Sequence, residues 1–271
     1  MHQFTINRLK GADPHFEKIV IEIRYADGYS YLDKCGKLIS TILEQNDEWS
    51  VDPNDPNPQS ANLYSFANGA SLGINTKRIG LVLETPSGNK SLKFDDIEGF
   101  KEQIDSVVKL TLTLLGVEKL TRIGVRLWYL FPFDNQQTRE MWIDSLGIVK
   151  VAPEFVEALN GELDGGSFAL GVKSEDNLSY RISLNSAERN SHLEVGNRTI
   201  NIASSKLSEG QAKKLRKLHE KRMKSVNEDK FPAMIDIDVF KETVTTDDID
   251  VIFEKALESY TLLSKFSNTQ G

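Results

Sequence analysis

Two carboxylates in the apolar run AMIDIDVF, Asp236 and Asp238, have the residue type and spacing for metal chemistry. Side chains alternate along an extended strand, so the two aspartates share one face while Ile235, Ile237 and Val239 take the other. Carboxylates placed in this way can together hold a divalent cation such as magnesium. The competing reading is a polar strand face whose aspartates pair with Arg122 or Arg126. A second candidate is the basic segment 213–224, where Lys213, Lys214, Arg216, Lys217, Lys221, Arg222 and Lys224 stand against Glu220 alone. On a helix these cations surround most of the circumference and leave Leu215 and Leu218 as a narrow apolar contact. The segment therefore reads either as a phosphate or nucleic-acid site or as a solvated charged helix. The third candidate is the set Glu22, Arg24, Arg126 and Trp128, which alternation puts on the polar faces of two strands. Arginine brings forked donors and tryptophan a stacking surface, so the set floors an anion or peptide groove if no helix covers it, and pairs internally otherwise.

Other chemistries are absent from the sequence. No phosphate-binding loop, nucleophile elbow or dinucleotide fingerprint occurs, and His2, His15, His192 and His219 have no metal-ligand spacing. One cysteine, Cys35, excludes an intrachain disulfide and a multi-cysteine zinc site; its neighbours Leu32, Leu38, Ile39 and Ile42 mark it as a small buried hydrophobe. A formal charge of -7 opposes nucleic-acid binding by the whole surface and confines any such activity to a local basic patch. The opening MHQFTINRLKG lacks an apolar leader core, and no run reaches the roughly 18 apolar residues of a membrane span. The expectation is a cytoplasmic protein with no membrane partner and no cofactor.

The elements that must position these residues follow from periodicity. RIGVRLWYLFPF, Arg122 to Phe133, alternates Ile123, Val125, Leu127, Tyr129 and Phe131 onto one face and predicts a central strand. IVIEIRY, Ile19 to Tyr25, predicts another. Between them come a helix from Ser30 to about Gln45, with Ser30 and Asp33 spaced as a capping box, and an exposed Asp/Asn/Pro loop from Asn46 to Ala61. A meander of strands follows near Leu63–Phe66, Leu72–Ile74, Ile79–Thr85 and Ser91–Phe94, then a long amphipathic helix capped by Asp95 or Asp96 and stopped by Gly116. Beyond the central strand the pattern predicts a polar helix from Gln136 to Leu146, a short helix begun by Pro153, strands Phe168–Lys173 and Leu178–Asn185, and weaker strands near His192–Val195 and Thr199–Ala203. The MIDIDVF strand and a helix carrying Ile249, Ile252, Phe253, Ala256, Leu257, Tyr260, Leu263 and Phe266 close the chain.

The two confident strands align Ile19, Ile21, Ile23 and Tyr25 on Ile123, Val125, Leu127 and Tyr129, and the closing helices open alike, Asp95-Asp96-Ile97-Glu98 and Asp247-Asp248-Ile249-Asp250. This pattern suggests an internal duplication. The predicted class is α+β, with two β-rich halves, 1–118 and 119–271, forming antiparallel sheet backed by long helices in one compact unit, and a charged insertion around 188–230.

Two resemblances bear on function. The hDhDh pattern of MIDIDVF is similar to the metal strand of the nucleotidyltransferases, which implies a magnesium-dependent nucleotidyl or phosphoryl transfer at Asp236 and Asp238. That family has a Gly-Ser helix start a short way upstream; here Gly165-Gly166-Ser167 is distant and runs into a strand. The RIGVR strand, the MIDIDVF strand and the helix FEKALESYTLLSKF together resemble a sporadically distributed family of uncharacterised bacterial proteins. Its members read RIGLRY followed by Ile-Asn where this chain has Arg122 to Tyr129. That resemblance implies a single unit and brings no activity. With no constellation of catalytic specificity, the expected function is a non-catalytic binding module with a protein partner or a second copy of itself. The alternatives are the transferase and nucleic-acid binding through 213–224.

Overall fold

The computed structural model describes residues 15–26, 29–51, 59–85, 91–145, 158, 167–186 and 231–268. Residues 52–58 of the expected loop from Asn46 to Ala61, the helix begun by Pro153 apart from residue 158, the strands near 192–203 and the charged insertion fall outside them. Among the described residues nine strands form one antiparallel sheet: β1 Phe16–Tyr25, β2 Trp49–Val51, β3 Ser60–Ser65, β4 Ser71–Asn75, β5 Arg78–Glu84, β6 Leu120–Phe133, β7 Ser167–Lys173, β8 Ser179–Ser186 and β9 Phe231–Val244. Their spatial order is β2-β3-β4-β5-β1-β6-β9-β8-β7. The helices are α1 Ser30–Gln45, α2 Phe94–Gln103, α3 Lys109–Leu115, α4 Gln136–Ser145 and α5 Asp248–Asn268, with a π-helical turn, Ile104–Val108, joining α2 to α3. The class is α+β, as the sequence predicts.

The centre of the sheet is the pair β1 and β6, in register at Ile19 with Leu127, Ile21 with Val125 and Ile23 with Ile123. In each half the first strand lies at this centre, the last strand lies beside it (β5 beside β1, β9 beside β6), and the remaining strands run outward. The order of elements corresponds as well, a helix after each first strand and a closing helix after each last one. This is a likeness of path and order, and it does not establish the duplication.

One face of the sheet is the core. Ile19, Ile21 and Ile23 of β1, Ile123, Val125 and Leu127 of β6, and Ile237 and Val239 of β9 join Leu38 and Ile42 of α1, Ile97 and Phe100 of α2, and Ile252, Phe253 and Leu257 of α5 in a single buried cluster. An aromatic series caps its end, where Tyr129 stacks on Tyr260 at 4.8 Å and Phe16 tilts against Tyr260 at 4.4 Å. Gly116 ends α3 in the left-handed region, φ 66°, a conformation that costs other residues a Cβ clash.

Several local expectations are corrected. Ser91–Phe94 is no strand: Leu92 N–H donates to Phe16 O at 2.8 Å, and Phe94 already belongs to α2. The cap position there is Lys93, whose N–H donates to the Asp96 carboxylate at 2.8 Å. Ser30 forms no capping box. Its hydroxyl donates to Leu115 O at 2.8 Å and satisfies a carbonyl left over at the end of α3. Trp49–Val51, inside the expected loop, pairs with Leu63–Ser65 as β2. Cys35 is half-buried against the core.

Candidate functional site

The opposite face of the sheet is polar, and no helix among the described residues lies over it. Register fixes its layout in rows that cross the strands. Arg78, Arg24 and Arg122 stand side by side on β5, β1 and β6. In the next row come Gly73, Gly80, Glu22 and Gly124, followed on β9 by Phe240. A third row runs Val82, Val20, Arg126 and Asp238, and a fourth carries Lys18, Trp128 and Asp236.

Glu22 is the hub of the arginine row. It accepts from Arg24 Nε at 2.7 Å, Arg78 Nη1 at 2.8 Å and Arg122 Nη1 at 3.1 Å. Burial pushes its carboxyl up, but the hydrogen bonds and charges of Arg78 and Arg24 outweigh that and hold it below the usual glutamate value. Gly124 explains how Arg122 reaches two acids. The guanidinium lies where a Cβ on residue 124 would be, 3.1 Å from that position, and from there Nη2 donates to Asp238 at 2.9 and 3.2 Å. Phe240 supplies a ring 4.5 Å from the same guanidinium. Burial lifts Asp238 above the usual aspartate value in spite of Arg122 and Arg126.

Arg126 grips Asp236 with a fork, Nε to Oδ1 at 2.7 Å and Nη2 to Oδ2. This hydrogen bonding raises the guanidinium further above its ordinary value. Trp128 lies beneath Lys18, 4.7 Å from its ring centre, and Arg126, 5.2 Å away, and its indole N–H finds no acceptor among the described residues.

The charges are layered. Side chains of Arg24, Arg78 and Arg126 are 52%, 58% and 47% exposed, whereas those of Glu22, Asp236 and Asp238 are 18%, 9% and 19% exposed. The carboxylates form a sunken layer together with Arg122, and the guanidinium groups of Arg24, Arg78 and Arg126 form the outer surface.

The structure thus brings the four groove candidates onto one face that no described helix covers, and it pairs Glu22, Arg24 and Arg126 internally. It binds Asp236 to Arg126 and Asp238 to Arg122, the arginine-paired reading. A cation there would have to displace a guanidinium, and no group of three His, Cys, Asp or Glu side chains among the described residues could hold a metal. The cations Lys213, Lys214, Arg216, Lys217, Lys221 and Arg222 lie outside the described residues. Sequence reading missed Arg78 as a site residue. Its alternation with Ile79 and Leu81 puts it on a polar face, but the pairing of β5 with β1 that delivers it to Glu22 leaves no local signal.

No described helix is long and apolar enough to cross a membrane. No family model, curated protein or solved structure matches the chain.

Proposed function

We propose that the protein is a non-catalytic binding module that takes an extended polypeptide segment on the polar face of its sheet. The observation that carries this reading is the charge layering at Glu22, Arg24, Arg78 and Arg126: guanidinium groups fixed by buried carboxylates, on a broad face that no described helix covers. Preorganised arginines lose little freedom on meeting a partner, and Trp128 adds apolar area beside them. No nucleophile or general base stands among these groups, because every carboxylate is already committed to a guanidinium. The resemblance of RIGVR and MIDIDVF to the uncharacterised bacterial family is compatible with this reading and adds no chemistry to it.

The test is selection of short randomised peptides against the full chain, with binding mapped by NMR. Resonances of Gly73, Gly80, Val82 and the Trp128 indole should move, and Arg126→Glu should abolish the change. Peptides that map only to the helical side would end the proposal. A thermal shift with magnesium or manganese and nucleotide that Asp236→Asn removes would favour the transferase instead. A salt-sensitive gel shift that survives Arg126→Glu, but not joint replacement of Lys214, Lys217 and Lys221 by Glu, would move the function to the basic segment.

A further inference from the structure

We infer that the partner segment is acidic and that one of its carboxylates is bound by Arg24 and Arg78 beside Gly80. This rests on the reading of the polar face as the binding surface. Like charges directly opposite one another in a sheet repel, and here three arginines stand in one row across three strands. Glu22 relieves that repulsion in part. Arg122 has a second acid in Asp238, while among the described residues Arg24 and Arg78 share Glu22 alone. Arg24 engages it through Nε and Arg78 through Nη1, and no further acceptor holds either guanidinium among the described residues. Two half-exposed forks are left with donors to offer, which is the geometry that a carboxylate matches.

The ground beside them is bare. A Cβ at Gly80 would meet nothing within 4 Å, and one at Gly73 would meet only Asn62 Oδ1 at 3.4 Å and Gly80 O at 4.0 Å. Adjacent glycines on two paired strands therefore make a shallow strip where another backbone can come close. The balance of charge argues for a peptide over a polynucleotide. Glu22, Asp236 and Asp238 cancel most of the guanidinium charge from below, so the face has little net positive charge to offer an unbroken row of phosphates, whereas a peptide can place an acid only where the half-exposed Arg24 and Arg78 stand.

The experiment uses the full chain with labelled peptides of equal length that are glutamate-rich, lysine-rich or uncharged, together with an oligodeoxythymidylate. Binding is read by anisotropy and by the Trp128 indole NMR signal, which Trp128→Phe assigns. The glutamate-rich peptide should bind best, and Arg24→Ala and Arg78→Ala should each weaken it about tenfold. Gly80→Val fills the open strip with a residue that strands favour, so it should fold normally and still weaken binding. Equal binding by the arginine variants, or a tighter complex with the oligonucleotide that moves the same signal, would overturn the inference. If a lysine-rich or uncharged peptide moves the Trp128 signal and the glutamate-rich one does not, the face remains a binding surface and the acidic partner is wrong. If no peptide moves it, both proposals fall.

Discussion

On β6 the residues Ile123, Val125, Leu127 and Tyr129 are buried in the core, while Arg122, Gly124, Arg126 and Trp128, one position out of phase, lie on the polar face, where the two arginines carry ion pairs. The same strand is thus held by two kinds of interaction that differ in what they specify. Apolar burial stabilises in proportion to area and tolerates exchange of one hydrophobe for another of similar volume. A guanidinium–carboxylate network contributes little net stability after desolvation, yet fixes the direction of each donor. On the reading proposed above, the contrast between the faces is one between stability and recognition, and it can be broken from either side.

The largest effect belongs to the core. Phe253 is fully buried in α5 and faces Phe100 at 6.2 Å. Phe253→Ala should cost about 3–5 kcal/mol in urea unfolding. A loss below about 1 kcal/mol would mean that α5 is not what closes the core. Next comes Arg122→Ala, which strips Asp238 of its only direct hydrogen-bond donor among the described residues and Glu22 of one of three there. The expected loss is about 1–3 kcal/mol, because the half-buried Asp238 carboxylate is left without that donor. Replacing Arg122 by Met together with Asp238 by Leu should recover much of it, since the buried charge goes with its partner. A double variant as unstable as Arg122→Ala would show that the pair itself stabilises the sheet.

The core face was legible in the sequence and the polar face only in part, for a physical reason. Burial writes itself into local periodicity, so the alternation of Ile19, Ile21 and Ile23 and the stripe of Ile97, Phe100 and Ile104 reveal strand and helix without knowledge of any partner. The short β2 carries too few residues to show a period, and it was missed. The site depends on which strands lie side by side. Glu22 and Arg24 are two residues apart in sequence, but Arg78, Arg122 and Asp238 reach them only through the order β5-β1-β6-β9. The pairing of aspartates 236 and 238 with arginines 126 and 122 could be anticipated because all four sit on polar faces of strong strands. The role of Gly124, which makes room for the Arg122 guanidinium, could not.

Ion pairs of the helical layer supply the next comparison. Asp250 of α5 bonds Lys101 and Lys109, the latter at 3.1 Å, across the π-helical turn. Burial raises its carboxyl, but the hydrogen bonds from Lys101 and Lys109 prevail and hold it below the usual aspartate value. A lowered folded-state value means that the ionised form stabilises the fold above the ordinary aspartate range, and that this contribution disappears as pH falls through the lowered value. Asp250→Asn should therefore cost about 0.5–1 kcal/mol at neutral pH and progressively less below about pH 4. Asp238, raised by burial, runs the other way: its contribution favours the fold at low pH and is lost as pH rises through its raised value. Parallel acid titrations of Asp250→Asn and Asp238→Asn whose differences from the parent moved in the same direction would contradict this assignment.

The smallest expected change in stability is that of Arg24→Ala, and it separates the two faces most sharply. Arg24 is half-exposed, and its bond to Glu22 is one of three, so Glu22 keeps Arg78 and Arg122 when it goes. The substitution also removes a positive charge wedged between two others in the same row, which offsets part of the lost hydrogen bond. These opposing terms should leave unfolding within about 0.5 kcal/mol of the parent. Binding of the glutamate-rich peptide should nonetheless fall about tenfold, because the partner's carboxylate loses half of its fork. A variant destabilised by more than about 1.5 kcal/mol would make the arginine row a structural clamp in the manner of the core. The polar face would then be a second means of holding the sheet together, and its exposed guanidinium groups would need no partner to explain them.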